Sequence, residues 1–164
     1  MSNLRAHFNK VAEVELVYKS IPAISNQSPI NSSQAAYDVL LSTWDMNKIE
    51  LQEQFRVILL NRHNDCLGVC TIASGGISDC LVDPKLVFAS ALKARASGII
   101  VSHNHPSGNI AFSDADKRMT ERFIQIGKFL DLPVLDHILV TKDGFCSYSD
   151  SESLPGIQNP SLRI

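Results

Sequence analysis

The sequence predicts an α/β fold built on a mixed sheet, and three observations carry that prediction. Two short apolar runs, Phe55 to Leu60 and Cys66 to Ile72, flank the turn residues His63-Asn64-Asp65. That pattern is a hairpin of two largely buried strands, and so antiparallel pairing. From Asp83 to Val140, helical periodicity alternates with short apolar runs, an order that calls for crossover connections and some parallel pairing. With 164 residues, 45% of them apolar and 20% charged, the chain suits one globular domain with its own core.

The elements follow in order. Val11 to Lys19 partly alternates apolar and polar side chains, the pattern of an exposed or edge strand. Residues 21–33 hold two prolines, two asparagines and several serines and form a connecting loop. Residues 1–33 are therefore expected to be an N-terminal strand and arm packed on the domain. Ser33 is the expected N-cap of a helix from Gln34 to Trp44. Its stripe of Tyr37, Leu40, Leu41 and Trp44 has the spacing of a face that packs on a core. In the hairpin, Cys66 and Cys70 share a strand face as small core hydrophobes, and His63 is a surface residue.

Ser74-Gly75-Gly76 interrupts the pattern, and Asp83-Pro84 starts a helix with an N-cap aspartate and a first-turn proline. This helix is expected to reach about Ser97 and stop at Gly98, with Ala91 and Ala94 small enough for close approach to the sheet. Ile99 to His103 is then a strand, and strand, helix, strand in this order suggests a crossover connection and hence some parallel pairing. Ser113 caps a helix from about Asp114 to Leu130, with Met119, Phe123, Ile126 and Leu130 as its buried stripe. Lys117, Arg118, Glu121, Arg122 and Lys128 make its solvated face. After Pro133, the strand Val134 to Val140 turns at Lys142-Asp143-Gly144 into Phe145 to Ser149. Residues 34–150 form the domain, and 151–164 are an irregular tail.

Bulk properties narrow the functional classes. A net charge of −2 and an isoelectric point near 6.2 offer no basic excess for nucleic acid or anionic membranes. The four cysteines, Cys66, Cys70, Cys80 and Cys146, form no Cys-x-x-Cys pair, against a zinc ribbon or a redox motif. The first residues lack the apolar core of a signal peptide, and no 18-residue apolar run is present. The expected location is cytoplasmic, with reduced thiols.

The chemistry concentrates between Ser102 and Asp116. Two histidines, His103 and His105, end an apolar run. In a strand they point to the same side, roughly 6–7 Å apart at the backbone. Two imidazole nitrogens at that span suit one metal ion, and Asp116 on the first turn of the next helix adds a carboxylate oxygen. Two His and one carboxylate leave a fourth position open, the pattern of a catalytic zinc. Ser113-x-x-Asp116 also has the form of a helix capping box, which competes for the same side chains. A hydrolase needs a carboxylate base as well. Glu53, just ahead of the Phe55 strand, is the first candidate and Glu50 the fallback. His137, after Asp136, is a candidate second layer behind the site.

His103-x-His105, seven residues, Ser113, two residues, Asp116 resembles the signature of the JAMM (MPN+) metallopeptidases. His103-Asn104-His105-Pro106-Ser107-Gly108, Leu135-Asp136-His137 and Phe55 to Asn61 resemble the RadC branch of that family. The likeness runs from Val14 to Ser149. It implies a three-layer α/β sandwich of the JAB/MPN type, similar to cytidine deaminases, with a mixed sheet flanked by helices. The deaminase signature itself is absent. The resemblance further implies that His103, His105 and Asp116 bind Zn2+, that Ser113 steadies an oxyanion, and that Glu53 is the general base. Full-length RadC-type proteins carry a helix-hairpin-helix region associated with DNA, and the stretch before Val14 is too short for one.

The leading expectation is thus a zinc-dependent hydrolase of peptide or isopeptide bonds acting on a peptide or protein substrate. The alternatives are a nucleic-acid repair or processing factor of the RadC type, resting on the basic face around Lys117, and a non-enzymatic scaffold of the same fold. The strand Val14 to Tyr18 would allow pairing with a second copy as a homodimer.

Overall fold

The computed structural model describes residues 29–76 and 80–151. The expected strand Val11 to Lys19, with the homodimer contact built on it, and the tail beyond Ser151 lie outside the described residues. The elements are α1 (Ser33–Thr43), β1 (Gln54–Leu60), β2 (Cys66–Ser74), α2 (Pro84–Lys93), β3 (Gly98–Asn104), α3 (Asp114–Phe129), β4 (Val134–Val140), β5 (Phe145–Ser147) and α4 (Tyr148–Ser151).

The sheet order is β2-β1-β3-β4-β5. β1 runs antiparallel to both β2 and β3, β3 and β4 are parallel, and β4 and β5 are antiparallel. The sheet is therefore mixed, with some parallel pairing, as the sequence predicts. The α2 crossover carries the chain from β2 over β1 to β3, which then pairs antiparallel with β1. Parallel pairing arises one step later, through α3. Both crossovers step in the same direction across the sheet. The preference for right-handed connections then puts α2 and α3 on one face.

That face and the opposite one hold separate cores. Phe55, Val57, Leu59, Ile99, Val101 and Val134 pack against Val87, Phe88 and Ala91 of α2 and Phe123 of α3. On the other side, Ile58, Leu60, Ile100, Ile138 and Val140 pack against Ala36, Tyr37 and Leu40 of α1. The alternation of strand side chains sorts the two sets. With helices on both sides, β1, β3 and β4 are buried at every position, which explains their continuous apolar runs. The architecture is a three-layer α/β sandwich.

Several boundaries move. Ser32, not Ser33, caps α1, accepting from Ala35 N–H at 3.0 Å. Asp83 caps α2 as expected, but the helix ends at Lys93. Arg95 takes a left-handed φ of 56°, which turns the chain before Gly98, and Gly98 opens β3 instead of stopping the helix. β2 is the half-buried edge of the sheet, not a second buried strand. Its register jumps, with Gly68 opposite Leu59 and Cys66 opposite Leu60. That bulge flips the alternation, so Cys66 lies on the face of Leu60 and Cys70 on the face of Val57. The two cysteines do not share a face. After β5 the chain turns into α4, where the sequence suggested continued strand.

Candidate metal centre

The site forms where β3 ends beside the start of α3. His103 and Asn104 end β3 and His105 follows it, and both rings face Asp116 of α3 while the Asn104 side chain lies on the opposite side. Asn104 there receives Gln54 N–H at 2.7 Å and donates to the carbonyls of Ile49 at 2.6 Å and Gln52 at 3.0 Å. This clamp ties the loop before β1 to the end of β3. The register ends with Phe55 opposite His103, and Glu53, two residues before Phe55, is near enough for its charge to act on His105. Glu53 is also bonded to Gly75 and Gly76 through its backbone. Glu50 is exposed and pairs with Lys142 at 2.9 Å.

Asp116 is delivered by helix capping. Ser113 Oγ accepts from Asp116 N–H at 3.2 Å, and the Asp116 carboxylate accepts from Ser113 N–H at 2.8 Å, a complete capping box. Ser113 Oγ–H also donates to Asp116 Oδ2 at 2.6 Å. The box does not divert Asp116 from the histidines. Its Oδ1 lies 3.2 Å from His103 Nε2, and its Oδ2 3.6 Å from His105 Nε2.

The two Nε2 atoms are 3.1 Å apart. Among the described residues, His103, His105 and Asp116 form the group with ligand atoms close enough to hold one metal ion. Three tetrahedral ligands each about 2.0–2.1 Å from an ion would stand roughly 3.3 Å apart, close to the separations seen here. His105 Nδ1 faces the Asn109 carbonyl at 2.8 Å. A carbonyl only accepts, so that nitrogen carries a proton, and Nε2 is the nitrogen presented to the cluster. The donor set therefore fits a divalent cation such as zinc.

Electrostatics agree with this reading. Burial pushes the Asp116 carboxyl up, but hydrogen bonds with His103, His105 and Ser113 outweigh it and hold the group far below the usual carboxylate range. The Asp116 hydrogen bond raises the His105 imidazole, against the opposing effect of burial, with a further contribution from the Glu53 charge. His103 is fully buried, while the His105 side chain is 17% exposed and Ser113 is exposed. The cluster thus has one side in the core and one side in solvent.

Behind His103 lies a second layer. His103 Nδ1 is 2.8 Å from His137 Nε2, and His137 Nδ1 is 2.6 Å from Thr120 Oγ1. His137 is fully buried, and burial drives its imidazole well below the usual value, so the ring is neutral. Phe112 covers this layer, its ring centroid 5.0 Å from His137 and 6.1 Å from His103, with Tyr148 edge-on to it at 5.4 Å. Sequence reasoning passed over Thr120, Asn104 and Phe112. Thr120 follows Asp116 by one helical turn, and Asn104 sits between the two histidines, so both carried a spacing signal.

A family model for the RadC-like JAB domain matches residues 30–154. The chain belongs to the RadC-like JAB domain family. A UPF0758 protein of Flavobacterium johnsoniae is 39% identical over 98 residues, covering 60% of this chain and 43% of its own length. One of Symbiobacterium thermophilum is 38% identical over 104 residues, covering 63% and 44%. Another, of Rubrobacter xylanophilus, is 36% identical over 135 residues, covering 82% and 59%. This RadC-like chain thus spans about half the length of the curated relatives it matches. Among its described residues, no helix is long and apolar enough to cross a membrane.

Proposed function

We propose that this RadC-like domain is a zinc-dependent hydrolase of peptide or isopeptide bonds. The observation that carries the reading is the meeting of His103 Nε2, His105 Nε2 and the Asp116 carboxylate within 4.8 Å of one another on the border between core and solvent. These three side chains would hold Zn2+. Zinc so bound supplies a Lewis acid that polarises a carbonyl and lowers the pKa of a water to about 7.

The remaining work falls to the chain. Glu53, whose charge acts on His105, takes a proton from the attacking water and passes it to the leaving amine. The Asn104 clamp holds the backbone that carries Glu53 in place. Ser113 gives its hydroxyl to the oxygen on which charge develops. To do so it turns from Asp116 Oδ2, which keeps its bond from the Ser113 N–H. Phe112 keeps water from the back of His103.

Two variants test this on the purified protein. The His103→Ala, His105→Ala double variant is expected to lose the bound zinc that the parent retains. Glu53→Gln should keep zinc and lose at least 100-fold in hydrolysis of a broad peptide panel. Equal zinc in parent and double variant contradicts the metal site. Full activity in Glu53→Gln contradicts the assigned base.

A further inference from the structure

The buried hydrogen bonds behind the cluster form a chain with a fixed direction, and its direction follows from donor and acceptor counting. Thr120 Oγ1 lies 2.7 Å from the Asp116 carbonyl oxygen, one helical turn back. A carbonyl only accepts, so the Thr120 hydroxyl proton goes there. The hydroxyl oxygen must then accept from its other neighbour, His137 Nδ1, at 2.6 Å. A neutral imidazole carries one proton, so His137 Nε2 is left as a lone pair. That lone pair faces His103 Nδ1 at 2.8 Å, which must donate. His103 therefore carries a proton on Nδ1, and Nε2 is the nitrogen it turns to His105 and Asp116, the one available to a cation.

We propose that Thr120 and His137 are positioning residues whose hydrogen-bond chain sets the tautomer of His103 and so presents its Nε2 to the metal. The chain starts on the backbone carbonyl of Asp116 and ends on His103, so it also ties the proposed ligand on α3 to the one on β3 through β4. His105 reaches the same state independently, through the Asn109 carbonyl. Both Nε2 atoms then point into one place, where a single cation can take both lone pairs. Thr120, His103 and His137 are all fully buried, so water offers no substitute partner that would relax the direction of the chain.

The inference rests on the metal reading above, and its test has an arm that does not. Long-range 1H–15N spectra of the metal-free parent report which nitrogen of each ring is protonated. The expected result is Nδ1–H for His103 and His137. A His103 Nδ1 that carries no proton overturns the proposal, whether or not the protein binds zinc. The second arm measures zinc affinity by competition with a chromophoric chelator. Thr120→Val keeps the shape and removes the acceptor, so His137 loses the bond that fixes its proton. A 10- to 100-fold loss of affinity is expected, with mixed tautomers at His103. Thr120→Ser returns the hydroxyl and is expected to recover both readouts. Unchanged affinity and tautomer in Thr120→Val contradicts the proposal. A parent without zinc affinity but with the stated tautomers sinks the hydrolase reading and leaves the hydrogen-bond chain standing.

Discussion

Single side chains decide this site, and those the sequence revealed are those whose geometry is local. His103 and His105 share a face because a strand repeats every two residues. Asp116 and Ser113 meet because a helix start brings its N-cap and third residue together. There the capping box and the turn of Asp116 toward the histidines proved compatible, since one carboxylate serves both. The sequence offered His137 only as a candidate second layer and left the Asn104 clamp unread, since their contacts lie 34 and 50 residues away in the chain, which no local period encodes. His137 also leaves a mark on stability. Its folded pKa lies below the ordinary value of about 6.5, so below that pH the unfolded chain takes up a proton that the folded chain refuses. Stability is then present above pH 6.5 and lost as pH falls. The raised His105 acts with the opposite sign and only above pH 6.5. Metal-free protein should therefore lose about 1.4 kcal/mol per pH unit between pH 6 and 5 in urea titrations, and His137→Phe should flatten that limb. An unchanged slope in the variant contradicts the assignment.

At the scale of elements, α3 shows how function distorts a periodic pattern. Its apolar residues suggested Met119, Phe123, Ile126 and Leu130 as the inner line. The buried line is Asp116, Thr120, Phe123 and Gly127, with Ile124 beside it, while Met119 and Ile126 are half-buried flanks and Leu130 is exposed. Two polar residues face inward because the metal cluster and its support lie there, and hydrophobicity does not report them. Gly127 faces inward because the returning chain passes close. A Cβ there would stand 2.5 Å from the Leu132 carbonyl oxygen, and Gly127 O accepts from Leu132 N–H at 2.8 Å. In an open helix, Gly→Ala stabilises by about 1 kcal/mol. Here Gly127→Ala is expected to destabilise by about 1–3 kcal/mol, read as a lower denaturation midpoint. A gain in stability would mean that α3 has room to move off the turn. The β2 bulge teaches the same limit, since an inserted residue reverses the face of every side chain beyond it and alternation alone does not locate it.

Across the whole molecule, the fold class and nearly every element were legible, because buried strands and amphipathic helices are written in local composition. The connection order was less so. Strand, helix, strand implies a crossover, but whether the returning strand lands next to its predecessor or one place further depends on which edge the hairpin leaves open. Here β1 occupies the inner place and β2 the outer, so the α2 crossover skips a strand. That arrangement puts β3 at the centre of the sheet, with β1 and β4 on its two sides, and all three proposed ligands at one end of it. The central claim is that this end holds one zinc ion between His103, His105 and Asp116. It is tested most directly by an anomalous diffraction map collected at the zinc edge from crystals of the zinc-soaked protein. The account requires a single strong peak about 2.0–2.1 Å from both Nε2 atoms and from an Asp116 oxygen, with a fourth position facing solvent. A map with no peak there, or a peak whose fourth position is closed by a protein side chain, contradicts it.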